Sequence, residues 1–316
     1  AMTAGRDIDA TASAGPLVLS GDASAVRNLN LYGTSVSLRD VFVTGPAGYA
    51  TLNATGDALS LRDITAPGFT LVSEGGGITG RTLTSTAPIG SGLEIADINA
   101  LGGAFAFNGV SALGDVLIIG SAGGTGSGPV TAGQDLLLFS ANPGAPETGL
   151  WSFGGALTAG RDLLGETNGQ MQFTSLIGGR DVRVSGDGGL AGGTVQAGRS
   201  VDLGGPGSGS LTVGDVTAGT GSIALRALGG ITTGAITALN GAITLVNTGG
   251  TIATGLITAG SDFTLTTGSN LVIAGITAGD DIRVTTSGTA TFGDLHATGT
   301  GQDDEPDGSN IVLVAG

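Results

Sequence analysis

A short motif recurs along the chain at an interval of about 20 residues. Each copy has an aliphatic residue, Thr-Ala-Gly or a close variant, two polar residues, and two apolar residues separated by one other, as in Ile276–Val284. A constant interval of this length indicates a repeat architecture, in which each repeat buries its apolar side only against its neighbours. The aliphatic residues that open successive copies are Val130, Leu157, Ile177, Val195, Val216, Ile236, Ile257, Ile276 and Leu295.

The apolar residues of each repeat predict three short strands per coil. Ile243 and Leu245 flank Thr244, and this alternation is typical of a half-buried strand. Gly, Asn, Ser and Asp residues between such segments supply the corners. We predict an all-β single-stranded parallel β-helix (β-solenoid) with about 20 residues per coil and about 16 coils. A second column of core residues runs from Leu163 to Ile282, and a third is assigned to Leu211, Ile231, Ile252, Val272 and Phe292.

The repeat predicts one β-solenoid domain over residues 1–316. Coils are expected to be irregular in 1–129, where Ser-Leu-Arg-Asp occurs at Ser37–Asp40 and Ser60–Asp63, and regular in 130–316. The motif is already present at Thr3, directly after Ala1 and Met2. We therefore expect the chain to be a fragment of a larger protein.

The composition excludes several classes of function. The chain has no Cys, so disulfides and Cys-ligated metals are excluded. Its net charge is −15 at pH 7, which argues against nucleic acid and anionic membrane surfaces as partners. No apolar stretch approaches the length of about 20 residues that a transmembrane helix needs, so membrane insertion is not expected.

The Asp of the motif recurs in many copies and is the first candidate for chemistry. Stacked carboxylates would bind cations or act on a polysaccharide, whereas an Asp at a corner more often accepts a hydrogen bond from the backbone of its own turn. Arg residues beside these positions would relieve the repulsion between them. The residues concerned are Asp7, Asp135, Asp162, Asp181, Asp262 and Asp281, with Arg6, Arg161, Arg180 and Arg199.

An acidic run near the C-terminus contains Asp303, Asp304, Glu305 and Asp307. Clustered oxygens suit Ca²⁺, so these residues are the candidates for a weak cation contact, with a solvated insertion as the alternative. The spacing matches no calcium motif.

His296 is the only His and occupies a position expected to point outward. No catalytic residue, cofactor site or structural metal is predicted.

Trp151 lies in the longest gap between motif copies, within Asn142–Gly155. A loop there would present the indole to a sugar or a protein partner. The alternative is a Trp that packs on the side of the stack. Trp151 is the candidate for partner contact.

The segments Ala4–Ile8 (AGRDI) and Ile276–Ile282 (ITAGDDI), with their apolar triplets, resemble the repeats of filamentous haemagglutinin-like exoproteins. The resemblance covers residues 130–300 best. It implies a right-handed β-helix on a secreted protein of the bacterial cell surface, exported through a partner pore in the outer membrane. The N-terminal secretion module of that family has no counterpart here, so the chain resembles the shaft.

We therefore expect a non-catalytic structural shaft that mediates adhesion, aggregation or biofilm cohesion. Its partners would be a receptor or glycan on a host or neighbouring cell. Three alternatives stay open: a polysaccharide-active β-helix enzyme, the stalk of a contact-dependent toxin-delivery protein, and a fibre that assembles end to end. An enzyme requires a groove with converging carboxylates, whereas a shaft requires only regular ladders.

Overall fold

Parallel strands about 20 residues apart form a β-solenoid of about 14 turns, which confirms the predicted fold class. The computed structural model describes residues 1–141, 149–205, 207–299 and 309–316. No helix occurs among these residues, so the described part of the chain has no helix that could span a membrane. The turn count is below the predicted 16 because some turns are long: Thr70 is in register with Asp97, 27 residues later.

The chain divides into two compact units. The first comprises Ala1–Arg161 with Glu166–Gly169, and the second comprises Asp162–Gly165 with Gln170–Gly316. Strand β22 (Leu163–Thr167) has residues in both. The expected change from irregular to regular coils at residue 130 stays a prediction.

The first unit contains strands β1 to β21. Strands β2, β5, β8, β11, β14, β17 and β20 belong to sheet B, and the others belong to sheet A. Their bounds are β1 Met2–Ala4, β2 Ile8–Thr11, β3 Leu17–Val18, β4 Ala23–Ala25, β5 Asn28–Gly33, β6 Val36–Ser37, β7 Asp40–Val43, β8 Tyr49–Ala54, β9 Leu59–Ser60, β10 Asp63–Ala66, β11 Gly68–Ser73, β12 Ile78–Thr79, β13 Thr82–Ser85, β14 Ile95–Ala100, β15 Phe105–Phe107, β16 Gly109–Ala112, β17 Asp115–Gly120, β18 Gly124–Gly126, β19 Val130–Ala132, β20 Leu136–Ser140 and β21 Trp151–Ala159.

The second unit contains strands β23 to β38. Strands β24, β26, β29, β32, β34, β36 and β38 belong to sheet B, and the others belong to sheet A. Their bounds are β23 Met171–Gly178, β24 Val182–Gly186, β25 Leu190–Ala197, β26 Val201–Leu203, β27 Leu211–Thr212, β28 Val216–Ala218, β29 Ile223–Ala227, β30 Ile231–Thr233, β31 Ile236–Ala238, β32 Ile243–Asn247, β33 Ile252–Ala259, β34 Phe263–Thr267, β35 Leu271–Ala278, β36 Ile282–Thr286, β37 Ala290–Ala297 and β38 Ile311–Ala315.

A turn contains one strand of sheet B followed by one or two strands of sheet A. Strands β29, β30 and β31 form a turn with the predicted three short strands. In the turn of β34 and β35 the two sheet A segments join into one strand of eight residues. In this turn Ala274 and Gly275 continue the strand, at the place where the chain of other turns bends. The corner between the two sheet A segments is therefore optional.

The core consists of aliphatic columns in register from turn to turn. Ile223, Ile243, Phe263 and Ile282 are aligned in sheet B, and each is fully buried. Burying such a side chain contributes roughly 1.5–3 kcal/mol before entropy is counted, so stability grows with every turn. Thr264, between two buried residues of β34, points outward. This confirms the alternation predicted from the triplets.

Three positions of the predicted columns are wrong. Phe292 aligns with Ile273, whereas the partner of Leu271 is Ala290. The other two errors concern Ile177 and Val272. Leu176 is buried and aligns with Val195, whereas Ile177 is 36% exposed and aligns with Gln196. Leu271 aligns with Ile252, whereas its neighbour Val272 is 51% exposed. In both cases two apolar residues are adjacent, and a shift of one residue exchanges the two faces of a strand. 

The Gly of the Thr-Ala-Gly motif is required because turns approach closely at this corner. A Cβ on Gly219 would collide with the carbonyl oxygen of Gly198, one turn earlier. Gly279 has the same relation to Gly260. The Gly219 N–H donates to the carbonyl of Ala197 at 3.1 Å, so the hydrogen-bond ladder continues into the corner. A larger residue would separate the turns there.

Candidate functional site

The charged corners are built from Arg–Asp pairs that join adjacent turns. Arg180 donates from Nε to Oδ1 of Asp162 at 2.8 Å, and its Nη2 binds the other carboxylate oxygen. Arg199 binds Asp181 in the same two-pronged manner, with Nε 2.8 Å from Oδ1. The two-pronged pairs are Arg27–Asp7, Arg62–Asp40, Arg81–Asp63, Arg161–Asp135, Arg180–Asp162 and Arg199–Asp181.

The pairs form a ladder because Arg and Asp are adjacent in the sequence. Arg180 binds the previous turn while Asp181 binds the next one. The carboxylates also accept backbone N–H groups of the next turn, as in Ser200 N to Asp181 Oδ1 at 3.2 Å. The alternative that the Asp hydrogen-bonds the backbone of its own turn is wrong for Asp7 and Asp181. Their hydrogen-bond partners lie one turn later.

Hydrogen bonds from Arg lower the pKa of several of these Asp carboxyls. Arg199 lowers the pKa of Asp181, and Arg81 lowers that of Asp63, in each case mainly through its side-chain hydrogen bond. Arg27 lowers the pKa of Asp7 in the same way. A general acid needs a pKa raised toward the working pH. These carboxyls are shifted in the opposite direction.

An open cleft of about 440 Å³ lies beside the ladder in the second unit. Its charged lining includes Asp162, Asp181, Asp202, Arg183 and Arg199. Asp202 receives a hydrogen bond from Arg226 at 2.5 Å and lies 3.4 Å from Nε of Arg183. Each carboxylate of the cleft therefore has an Arg partner, which favours a structural role for this cluster.

Trp151 lies in the core of the first unit. Its side chain is fully buried and packs against Phe105, with ring centroids 5.0 Å apart at an interplanar angle of 66°. Trp151 is in register with Gly124, whose missing side chain leaves room for the Phe105 ring. The prediction that a loop presents Trp151 to a partner is wrong. The indole occupies an inward position at the start of β21.

His296 points outward from sheet A, as expected, and aligns with Thr277. It lines a shallow cleft with Asp294 and Leu256.

The predicted cation contacts lie outside the described residues. They are Asp303, Asp304, Glu305 and Asp307. Within the described residues, no group of three or more His, Asp and Glu side chains is arranged to hold a metal ion.

Sheet A presents rows of uncharged hydroxyl residues to solvent. In the second unit, Thr217, Thr237, Thr258 and Thr277 occupy the same outward position in successive turns. In the first unit, the equivalent row contains Thr65, Thr84, Ser111, Thr131 and Thr158. These Thr residues are the second residue of the motif. Their alignment follows from the aliphatic column beside them.

Sheet B of the first unit presents a polar face of a different kind. Tyr49 and Thr70 are joined by a hydrogen bond of 2.8 Å between their hydroxyls, and Thr70 lies 3.4 Å from Oδ2 of Asp97. Asn99 donates to Oδ1 of Asp97 at 2.7 Å. Burial raises the pKa of Asp97. The sequence predictions missed this cluster, although the alternation in Ile95–Ala100 places Asp97 and Asn99 on one face.

Comparison with known proteins identifies no relative of this chain. No protein-family model matches the chain. No curated protein and no solved structure has a significant match either. The fold therefore defines the class, which is a parallel β-solenoid repeat protein. The likeness to filamentous haemagglutinins stays a prediction.

Proposed function

We propose that this chain is the non-catalytic shaft of an adhesin on the bacterial surface, similar to a filamentous haemagglutinin. The observation that carries the proposal is the pairing of its charged groups between turns. Carboxylates that bind Arg in the adjacent turn hold the stack in register. They are poorly suited to the proton transfers of a hydrolase or lyase.

The repeated outward rows support an adhesive role. Thr237 and Thr258 are members of a row that repeats one chemical group in four successive turns. Strand spacing in a sheet is about 4.8 Å, so such a row offers many equivalent weak contacts to a surface. Weak contacts that act together raise the overall avidity. The partner would be a receptor or glycan of a host or neighbouring cell, and the full-length protein would be secreted through an outer-membrane pore.

The test is attachment of beads coated with the purified chain. We expect such beads to aggregate, or to bind bacterial or epithelial cells, more than beads coated with the heat-denatured chain and assayed at the same pH. The unfolded chain is the matched control because it has the same composition and net charge. Coated beads that neither aggregate nor bind any cell type would contradict the adhesive function.

A polysaccharide-active enzyme is the second candidate, favoured by the cleft at Asp181 and Asp202. It predicts new reducing ends, or unsaturated products, when the chain is incubated with a panel of neutral and acidic polysaccharides. Activity that is present in the wild type and lost in Asp202→Asn would establish the enzyme. The shaft proposal expects no cleavage by either protein.

A further inference from the structure

We propose that the polar face of sheet B in the first unit binds a neutral polysaccharide. The face is formed by Tyr32, Asn53, Thr70, Asp97 and Asn99. This inference builds on the proposed adhesive function, because it identifies the ligand class and the contact residues. It is independent of the Thr rows of sheet A.

The five residues lie together because four adjacent strands present alternate residues to one side. Tyr32 of β5 is in register with Asn53 of β8. The same row continues through Val72 of β11 to Asn99 of β14. The neighbouring row, two residues away along each strand, contains Thr70 and Asp97. At about 4.8 Å per strand, the face extends roughly 14 Å along the stack, which suits a chain of sugars rather than one.

The centre of the face is preorganised by hydrogen bonds. The Asn99 amide donates to Asp97 Oδ1 at 2.7 Å, and the Thr70 hydroxyl lies 3.4 Å from Oδ2. A carboxylate has about four lone-pair sites, so Asp97 retains capacity for ligand hydroxyls. The second N–H of Asn99 is not used by Asp97. Groups already held in position cost little conformational entropy when a ligand binds.

Asn53 has an unused acceptor in the same face. Its Oδ1 is covered by neighbouring atoms and has no hydrogen-bond partner among the described residues. A covered polar atom without a partner is costly, and such atoms in a native protein are few. The torsion that orients the amide plane is soft. A rotation of the Asn53 amide on binding would let this carbonyl accept a hydrogen bond from a sugar hydroxyl.

Tyr32 supplies an aromatic surface at one end of the face. The side chain is 38% exposed and stands directly beside Asn53. Tyrosine combines an apolar ring with a polar hydroxyl, which suits the mixed C–H and O–H surface of a sugar. In the neighbouring row, which also contains Thr70 and Asp97, Asn30 donates to Asp9 at 2.6 Å. Aromatic, amide and carboxylate groups are thus combined within two adjacent rows.

Charge decides between neutral and anionic polymers. The chain carries a net charge of −15, and Asp9 and Asp97 lie on this side of the sheet. Arg27 is engaged with Asp7 and leaves no free cation beside the face among the described ion pairs. Repulsion therefore excludes sulfated and uronic-acid polymers. A neutral glycan meets no such penalty.

The experiment is affinity electrophoresis of the whole chain through gels that contain mannan, β-glucan or arabinogalactan, with alginate as the anionic comparison. We expect at least one neutral polymer to retard the wild type. Tyr32→Ala and Asn99→Ala should each weaken the retardation about tenfold, and Tyr32→Phe should retain most of it. Phe42→Ala is the matched control, because Phe42 is also 38% exposed but lies on sheet A of the same unit.

The outcomes separate this site from the adhesive function. Failure of every neutral polymer to retard the wild type, retention by alginate instead, or equal binding by Tyr32→Ala, Asn99→Ala and Phe42→Ala would overturn the proposed site. Unchanged circular dichroism shows that each variant is folded. If beads coated with the Tyr32→Ala, Asn99→Ala double variant adhere as the wild type does, adhesion stands and the polar face of sheet B is not the surface that mediates it. Polysaccharide binding without cell attachment would leave the site standing and refute adhesion.

Discussion

Arg180 reaches back one turn and binds both carboxylate oxygens of Asp162, 18 residues earlier. The adjacent Asp181 receives the same contact from Arg199. The ion pairs are therefore connected through the backbone of Arg180-Asp181 into a chain that crosses three turns. Since hydrogen bonds of the sheet run in the same direction, side chains and backbone reinforce one register.

Removal of one Arg from the ladder should lower the thermal stability slightly. We expect Arg199→Ala to reduce Tm, because Asp181 loses its partner, but the loss should be small since solvent screens this pair. Arg283→Ala is the control, because Arg283 has no ion pair among the described residues. Equal Tm values for the two variants would contradict a stabilising role, and high salt should reduce the difference.

Acid should destabilise the protein through the same pairs. Asp7, Asp63 and Asp181 have a lower pKa when folded, so the unfolded chain binds protons more tightly. Their contribution is complete at pH values above the unfolded pKa, near 3.8, and is lost as the pH falls through the folded value. Asp97, whose pKa is raised, acts in the opposite direction. We expect a constant Tm from pH 7 to 5 and a decrease below pH 4; an increase on acidification would refute this.

Trp151 should report on the core of the first unit. Because it is the only Trp and is fully buried, its fluorescence should be blue-shifted and resistant to iodide quenching. Trp151→Ala should cost about 3–5 kcal/mol. Trp151→Phe should cost much less, since it keeps an aromatic ring and removes an indole N–H that has no hydrogen-bond partner among the described residues. Emission typical of a water-exposed indole would contradict the buried position.

Gly192 should be intolerant of a side chain. A Cβ at this position would overlap the ring of Phe173, which is aligned with Gly192 in the previous turn. We expect Gly192→Ala to lower the free energy of unfolding by about 1–3 kcal/mol, the usual effect of overpacking. Gly205→Ala is the control in the same unit, because its Cβ would meet only atoms at 3.8 Å or more. Denaturant titration of both variants measures the difference.

The fold was predictable because one aliphatic position repeats so regularly. Ile257 and Ile276 fall in equivalent places, and stacking them is the only way for each turn to bury its apolar side. The prediction of core positions failed where two adjacent apolar residues fit the repeat equally well. At Leu176-Ile177 either residue satisfies the pattern, and the inward one is decided by the register with Val195.

The candidate site was less predictable because its contacts join residues one turn apart. The pairing of Arg161 with Asp135 spans 26 residues, whereas that of Arg180 with Asp162 spans 18. Variation in turn length thus decides which side chains meet, and composition does not reveal it. Trp151 was misplaced for a related reason: a long gap precedes it, yet β21 begins at Trp151 in register with Gly124.

The stacked glycines also determine how such a gene can change. Gly219 repeats the backbone path of Gly198, and each lies against the corner one turn earlier. Duplication or deletion of one whole turn therefore keeps this corner contact, whereas pairs matched in size, such as Phe173 and Gly192, are separated. Recombination between the repeats can lengthen or shorten the protein where the joined turns lack such pairs. Natural selection can act on the number of turns separately from the side chains that those turns display.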